Sequence, residues 1–144
     1  MRGIRVKILG SVLIAALLVV GACGNDDSTA KDTDLVEQLV DEHHVAWVES
    51  DPARISALFT EDGVFTDTIG QPSVGREEIA AQAELYAPAI TAAERTGPVE
   101  AREDGTFVFG EELSRSGATF AGERVVTIRD GLFASYEWVG GTPS

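Results

Sequence analysis

At Pro88 the chain changes its period, and that change limits what it can fold into. Before Pro88 apolar residues recur at helical spacing; after it, short runs rich in Val, Phe, Thr and Ile are cut by turn dipeptides. Val36, Val40, His43 and Trp47 form one stripe, with Leu39 and Ala46 beside them. Asp34 followed by Glu37 has the form of a capping box, so the first helix is expected to start at Asp34 and end near Glu49. Asp51-Pro52 then supplies an N-cap and a proline at the first helical position. Ile55, Leu58 and Phe59 mark the buried side of that second, shorter helix. Glu61-Asp62-Gly63 reads as a turn, and Val64-Phe65-Thr66-Asp67 as a strand. Gly70, Pro72 and Gly75 mark a loop, after which a third helix opens and buries Ile79, Ala83 and Tyr86. Beyond Pro88, the pairs Gly97-Pro98, Asp104-Gly105, Ser116-Gly117 and Asp130-Gly131 separate antiparallel strands. Residues 123–129 and 132–139 make the clearest hairpin. Helices first and a strand meander after them is an α+β layout, with the helices packed on one face of a sheet.

The N-terminal segment has a different character. Arg2, Arg5 and Lys7 precede residues 8–20, which are apolar except for Gly10 and Ser11. As a helix that run spans about 20 Å, short of the ~30 Å hydrocarbon core of a bilayer. A basic start, a short apolar centre and small residues before a cut point are the anatomy of a secretory signal. Val20-Gly21-Ala22-Cys23 resembles a bacterial lipobox, in which the cysteine is lipidated and becomes the mature N-terminus. An ordinary signal peptide and an uncleaved anchor are the alternatives. Cys23 is the only cysteine in the chain and so has no disulfide partner. Asn25, Asp26, Asp27, Ser28 and Asp32 make residues 23–33 read as a flexible tether. The expected organisation is a signal over 1–22, the tether, and one small domain over 34–140. The expected location is the extracytoplasmic face of the cell membrane, held there by the lipid.

The formal net charge is −13, and every acid lies after Cys23. Such a surface repels nucleic acid and gains nothing electrostatically from anionic lipid. The two adjacent histidines are not spaced as a metal clamp, and neither a Gly-rich phosphate loop nor a Cys/His cluster is present in the sequence. No cofactor is therefore expected.

The stretch from His43 to Trp47, then Asp51, then Ala57-Leu58-Phe59-Thr60-Glu61-Asp62-Gly63-Val64-Phe65-Thr66-Asp67, resembles the SnoaL-like branch of the nuclear-transport-factor-2-like superfamily. Gly70, Gly75-Arg76-Glu77-Glu78-Ile79 and the closing Ile128-Arg129-Asp130-Gly131 fit the same pattern. The resemblance implies a cone of three N-terminal helices packed on a curved antiparallel sheet, with a pocket inside. Relatives use that pocket for isomerisation, cyclisation, hydration, dehydration or simple binding, and often dimerise through the sheet face. Fold alone does not choose among these.

The resemblance also directs attention to three polar residues. Asp67 falls where steroid-isomerase-like relatives keep a carboxylate at the pocket mouth. With Trp47, Phe65 and Ile69 around it, it would act as a proton shuttle; alternatively it caps the following loop as an Asx-turn. His43 falls where those enzymes keep a tyrosine that donates to an oxyanion, and the alternative is a buried structural histidine. Arg124 stands near their second acid, either as a pocket cation that orients Asp67 or as a strand-end residue paired with a surface acid. His44 is expected on the surface, as are Glu111 and Glu112. Three functions remain open: a lipid-anchored domain binding a small, largely apolar molecule; a pocket enzyme using Asp67 with His43 or Arg124; and an envelope protein-interaction module.

Overall fold

The computed structural model describes residues 25–143. The signal segment 1–22 and Cys23 lie outside the described residues. Helix α1 spans Asn25–Val48, α2 Pro52–Ala57 and α3 Arg76–Tyr86, the last followed by a 3₁₀ turn at Ala87–Ala89. The strands are β1 Phe59–Thr66, β2 Pro72–Val74, β3 Ile90–Arg95, β4 Glu100–Ala101, β5 Phe107–Arg115, β6 Ala118–Arg129 and β7 Leu132–Pro143. They form one seven-stranded sheet in the order β2-β1-β7-β6-β5-β3, with β4 on β5.

The first helix starts earlier than its capping signal predicts. Residues 25–33, expected as a tether, are helical, and Asp34 lies inside α1 rather than at its N-cap. No Gly or Pro interrupts residues 25–48, so nothing local stops the helix from propagating toward the N-terminus. Residues 27–32 are exposed, and Thr33 Oγ1 donates to the Thr29 carbonyl at 2.8 Å within this extension. The start of α2 follows the sequence signal: Asp51 accepts from Arg54 N at 3.0 Å and Pro52 is the first helical residue.

Strand β1 also starts earlier than expected. Glu61-Asp62-Gly63 is not a turn but part of β1, with a register shift between Phe59 and Val64. A Cβ on Gly63 would sit 3.0 Å from the Phe59 side chain, so a larger residue at this irregular step would crowd Phe59. The sheet is not purely antiparallel either, because β1 runs parallel to β7. A parallel pair needs a long crossover, here everything between β1 and β7. The late hairpins follow their turn residues. Ser116-Gly117 and Asp130-Gly131 all have positive φ, the geometry of two-residue turns that match strand twist.

The α1 stripe buries as its spacing requires: Val36, Val40 and Ala46 are fully buried, with Leu39, His43 and Trp47 close to it. It lies on the inward faces of the sheet, where Phe59, Phe65, Phe109, Val126, Phe133 and Tyr136 form the core. Of the α3 stripe, Ile79 and Ala83 are buried while Tyr86 is 38% exposed, because it stands at the open end of the cone. No helix among the described residues is long and apolar enough to cross a membrane.

Candidate functional site

Four polar residues meet in the interior: Glu111, His44, Tyr136 and Arg124, the last of which the sequence left open between a pocket and a surface position. Glu111 on β5 shares its strand parity with Phe107 and Phe109, so period two turns it inward. On β6, Arg124 pairs with Phe109 and lies diagonally across from Glu111, whose direct partner is Gly122. Arg124 Nε donates to Glu111 Oε2 at 2.6 Å, with both side chains about 97% or more buried. His44 Nε2 donates to Glu111 Oε1 at 2.8 Å, and the Tyr136 hydroxyl donates to the same oxygen at 2.7 Å. The guanidinium of Arg124 lies 4.8 Å from the Trp138 ring and 4.9 Å from that of Tyr136. Trp138 reaches this position because Gly122 carries no side chain: a Cβ there would collide with the indole and with the Gly140 carbonyl.

These contacts set the protonation states. Burial alone would raise the Glu111 carboxyl, but Arg124, together with the His44 and Tyr136 hydrogen bonds, holds it well below the ordinary carboxylate range. Burial, and then the Glu111 charge, push the Tyr136 phenol well above its ordinary value. Glu111 is thus an ionised acceptor within hydrogen-bond reach of three donors. A buried charge is tolerated only with such partners.

His43 sits one position away on α1, ringed by Phe59, Phe65, Phe133 and Tyr136, the last 4.4 Å from it centroid to centroid. Its Nε2 accepts from Trp47 Nε1 at 2.9 Å. Burial first, then His44 and Arg124, lower its pKa well below the ordinary value, so the ring is neutral. With Nε2 acting as acceptor, the proton lies on Nδ1, and that N–H is buried without a partner.

Beside this network is a cavity of about 40 Å³ between α1, the end of β1, α3 and the sheet. That is room for about three waters, or a molecule of a few non-hydrogen atoms. His43, His44 and Trp47 wall it from α1; Phe65 and Asp67 from β1 and the loop after it; Gln82 and Tyr86 from α3. Glu111, Arg115 and Arg124 close it from the sheet.

The structure therefore brings His43, Trp47, Phe65, Asp67 and Arg124 to one cavity. It does not bring Ile69, which is 69% exposed beyond the turn. Asp67 caps its loop: Oδ1 accepts from Ile69 N and Gln71 N, both at 2.9 Å, and Oδ2 from Gln82 Nε2 at 3.1 Å. Arg124 touches this corner only through the backbone, donating from Nη1 to the Thr66 carbonyl at 2.7 Å. His43 makes no hydrogen bond to Asp67. His44 and Glu111, expected in solvent, are buried. The parity of Phe107, Phe109 and Glu111 was the available signal for the glutamate. For His44 the signal was weaker, since its burial comes from β3 packing along α1 and from its bond to Glu111 on β5. Among the described residues no group of three or more His, Cys, Asp or Glu converges to hold a metal ion.

A model of the SnoaL-like domain family matches residues 36–136. No curated protein matches the chain significantly. Among solved structures, a hypothetical protein from Catenulispora acidiphila with a ketosteroid isomerase-like fold, in complex with trimethylamine, superposes with a TM-score of 0.61 at 20% identity. That match covers 72% of this chain and 85% of the other. A protein of unknown function from Mycobacterium tuberculosis gives 0.63 at 17% identity, covering 85% of this chain and 78% of its own. An NTF2-like protein of unknown function from Cytophaga hutchinsonii gives 0.57 at 15%, covering 72% and 87%. At these identities the likeness is one of fold.

Proposed function

The chain belongs to the SnoaL-like domain family, and from that premise we propose that it is a binding domain for a small, largely apolar molecule held between α1 and the sheet. The observation that carries this reading is the cavity of about 40 Å³ with Trp47 and Phe65 in its wall beside a few fixed polar groups. The Catenulispora acidiphila protein of the same fold, in complex with trimethylamine, supports the size class. Titrating the full chain with molecules of about four to seven non-hydrogen atoms is expected to perturb Trp47 fluorescence, and a Trp47→Phe control should remove the signal. The absence of any such response across neutral, cationic and anionic probes overturns the reading.

A second reading, a pocket enzyme of isomerase, cyclase or hydrolase type, draws on the position of Asp67 at the cavity. Its two oxygens are already occupied, Oδ1 by two backbone N–H groups of its own loop and Oδ2 by Gln82, so we place binding first. In the binding reading Asp67→Asn keeps ligand affinity within about threefold, a shift under 1 kcal/mol. A turnover that vanishes in Asp67→Asn while affinity is kept would instead favour catalysis.

We further propose that residues 1–22 direct export and that Cys23 carries a lipid, on the strength of the Val20-Gly21-Ala22-Cys23 motif after a basic and then apolar run. Cys23→Ser is expected to move the folded protein from the membrane to the soluble fraction. Retention through an uncleaved apolar segment would overturn this.

A further inference from the structure

The acceptors around the cavity are taken, while two of its donors are not. Glu111 accepts from Arg124, His44 and Tyr136, and Asp67 accepts from two backbone N–H groups and Gln82. By contrast, His43 Nδ1–H is buried without an acceptor. Arg115 ends β5 on the same strand parity as Glu111 and also lines the cavity. Its guanidinium lies 5.2 Å from the Phe120 ring and 6.0 Å from that of Tyr86. Among the described residues no carboxylate forms an ion pair with it.

That isolation is not for want of acids, since the chain has 24 Asp and Glu against 11 Lys and Arg. Arg54, Arg95, Arg102, Arg124 and Arg129 each pair with a carboxylate. Arg115 instead stands over two aromatic faces, which hold its plane and limit its hydration. A planar fork of N–H donors held at the mouth of an apolar cavity matches a carboxylate, which it can grip with two parallel hydrogen bonds. A cationic ligand would face Arg115 without any carboxylate free to receive it.

We infer, resting on the pocket reading above, that the ligand is a small monocarboxylate whose apolar body lies against Trp47 and Phe65 and whose carboxylate is taken by Arg115. The partnerless His43 N–H adds to the cavity's demand for an acceptor.

The test uses three probes of matched size on the full chain: isobutyrate, isobutyramide and trimethylammonium. Binding is followed by the Trp47 indole and His43 imidazole NMR signals. Isobutyrate is expected to bind at least about tenfold more tightly than the other two, the scale of one or two hydrogen bonds to a charged group. In Arg115→Gln this preference should disappear, while the weaker isobutyramide response persists and reports that the cavity is still formed. If isobutyramide or trimethylammonium binds as well as isobutyrate, or if the preference survives Arg115→Gln, the carboxylate assignment is overturned and the pocket reading stands. If none of the three moves either signal, both fall.

Discussion

Glu111→Ala is expected to cost about 3–5 kcal/mol of folding stability, the range seen when one partner of a buried ion pair is removed. The loss of contact area is the smaller part. The substitution leaves the Arg124 guanidinium 3% exposed and without a counter-charge, and it strands the His44 and Tyr136 donors together. Urea unfolding should show a lower midpoint with an unchanged slope, since the surface exposed on unfolding hardly changes. Replacing both charges with apolar groups, as in Glu111→Leu with Arg124→Met, should cost much less than the sum of the single changes, because no charge is left unpaired. A loss below about 1 kcal/mol in Glu111→Ala would mean that the site behaves like a solvated surface pair.

Stability is expected to fall with acid in two stages. The first comes from His43, whose ring is neutral in the fold but takes a proton near the ordinary 6.5 once the chain unfolds. Its folded pKa is lowered, so its contribution is complete above the unfolded value of 6.5 and is lost as pH falls toward the folded one. Below about 6.5 the unfolded state binds one proton more than the folded state, a slope of about 1.4 kcal/mol per pH unit. The second stage comes from Glu111, also lowered, and begins as pH falls through its ordinary value of 4.5. Urea midpoints measured from neutral to mildly acid pH should therefore decline before any carboxylate titrates. In His43→Gln the earlier decline should flatten and the later one remain. An unchanged early slope in that variant would assign the proton uptake to another group.

The elements that carry strong periodicity were legible in the sequence. The α1 stripe, the Asp51-Pro52 start of α2 and the two glycine-turn hairpins depend on neighbours within one turn or one strand pair. The site was only half legible, because its parts are joined across the chain. His43, Trp47, Phe65, Asp67 and Arg124 all line the cavity. The role of Asp67 turned on Gln82 and two backbone N–H groups of its own loop, which left Ile69 outside. Glu111 reads as solvated when seen beside Glu112. Its burial follows from the register that sets Phe109 against Arg124 and Gly122 against Glu111 itself. His44 was misplaced because a single buried stripe was assumed for α1. That helix packs along β3, the edge strand of the sheet, as well as over the aromatic core, so neighbours about a hundred degrees apart are both buried.

The parallel pairing of β1 with β7 also fixes an order of assembly. Phe59 stands against Phe133 and Phe65 against Tyr136, and β7 is the strand that joins β1 to β6. A ribosome releases both long helices and the other six strands before this centrepiece exists. Until β7 emerges, β1 has one open flank and Glu111 lacks the phenol of Tyr136. Such distant closures carry a large loop entropy before any contact rewards them, which slows folding relative to a chain of local hairpins. Strand β7 is thus needed to complete the middle of the sheet, and a nascent chain stays unlocked until residues 132–143 are in place.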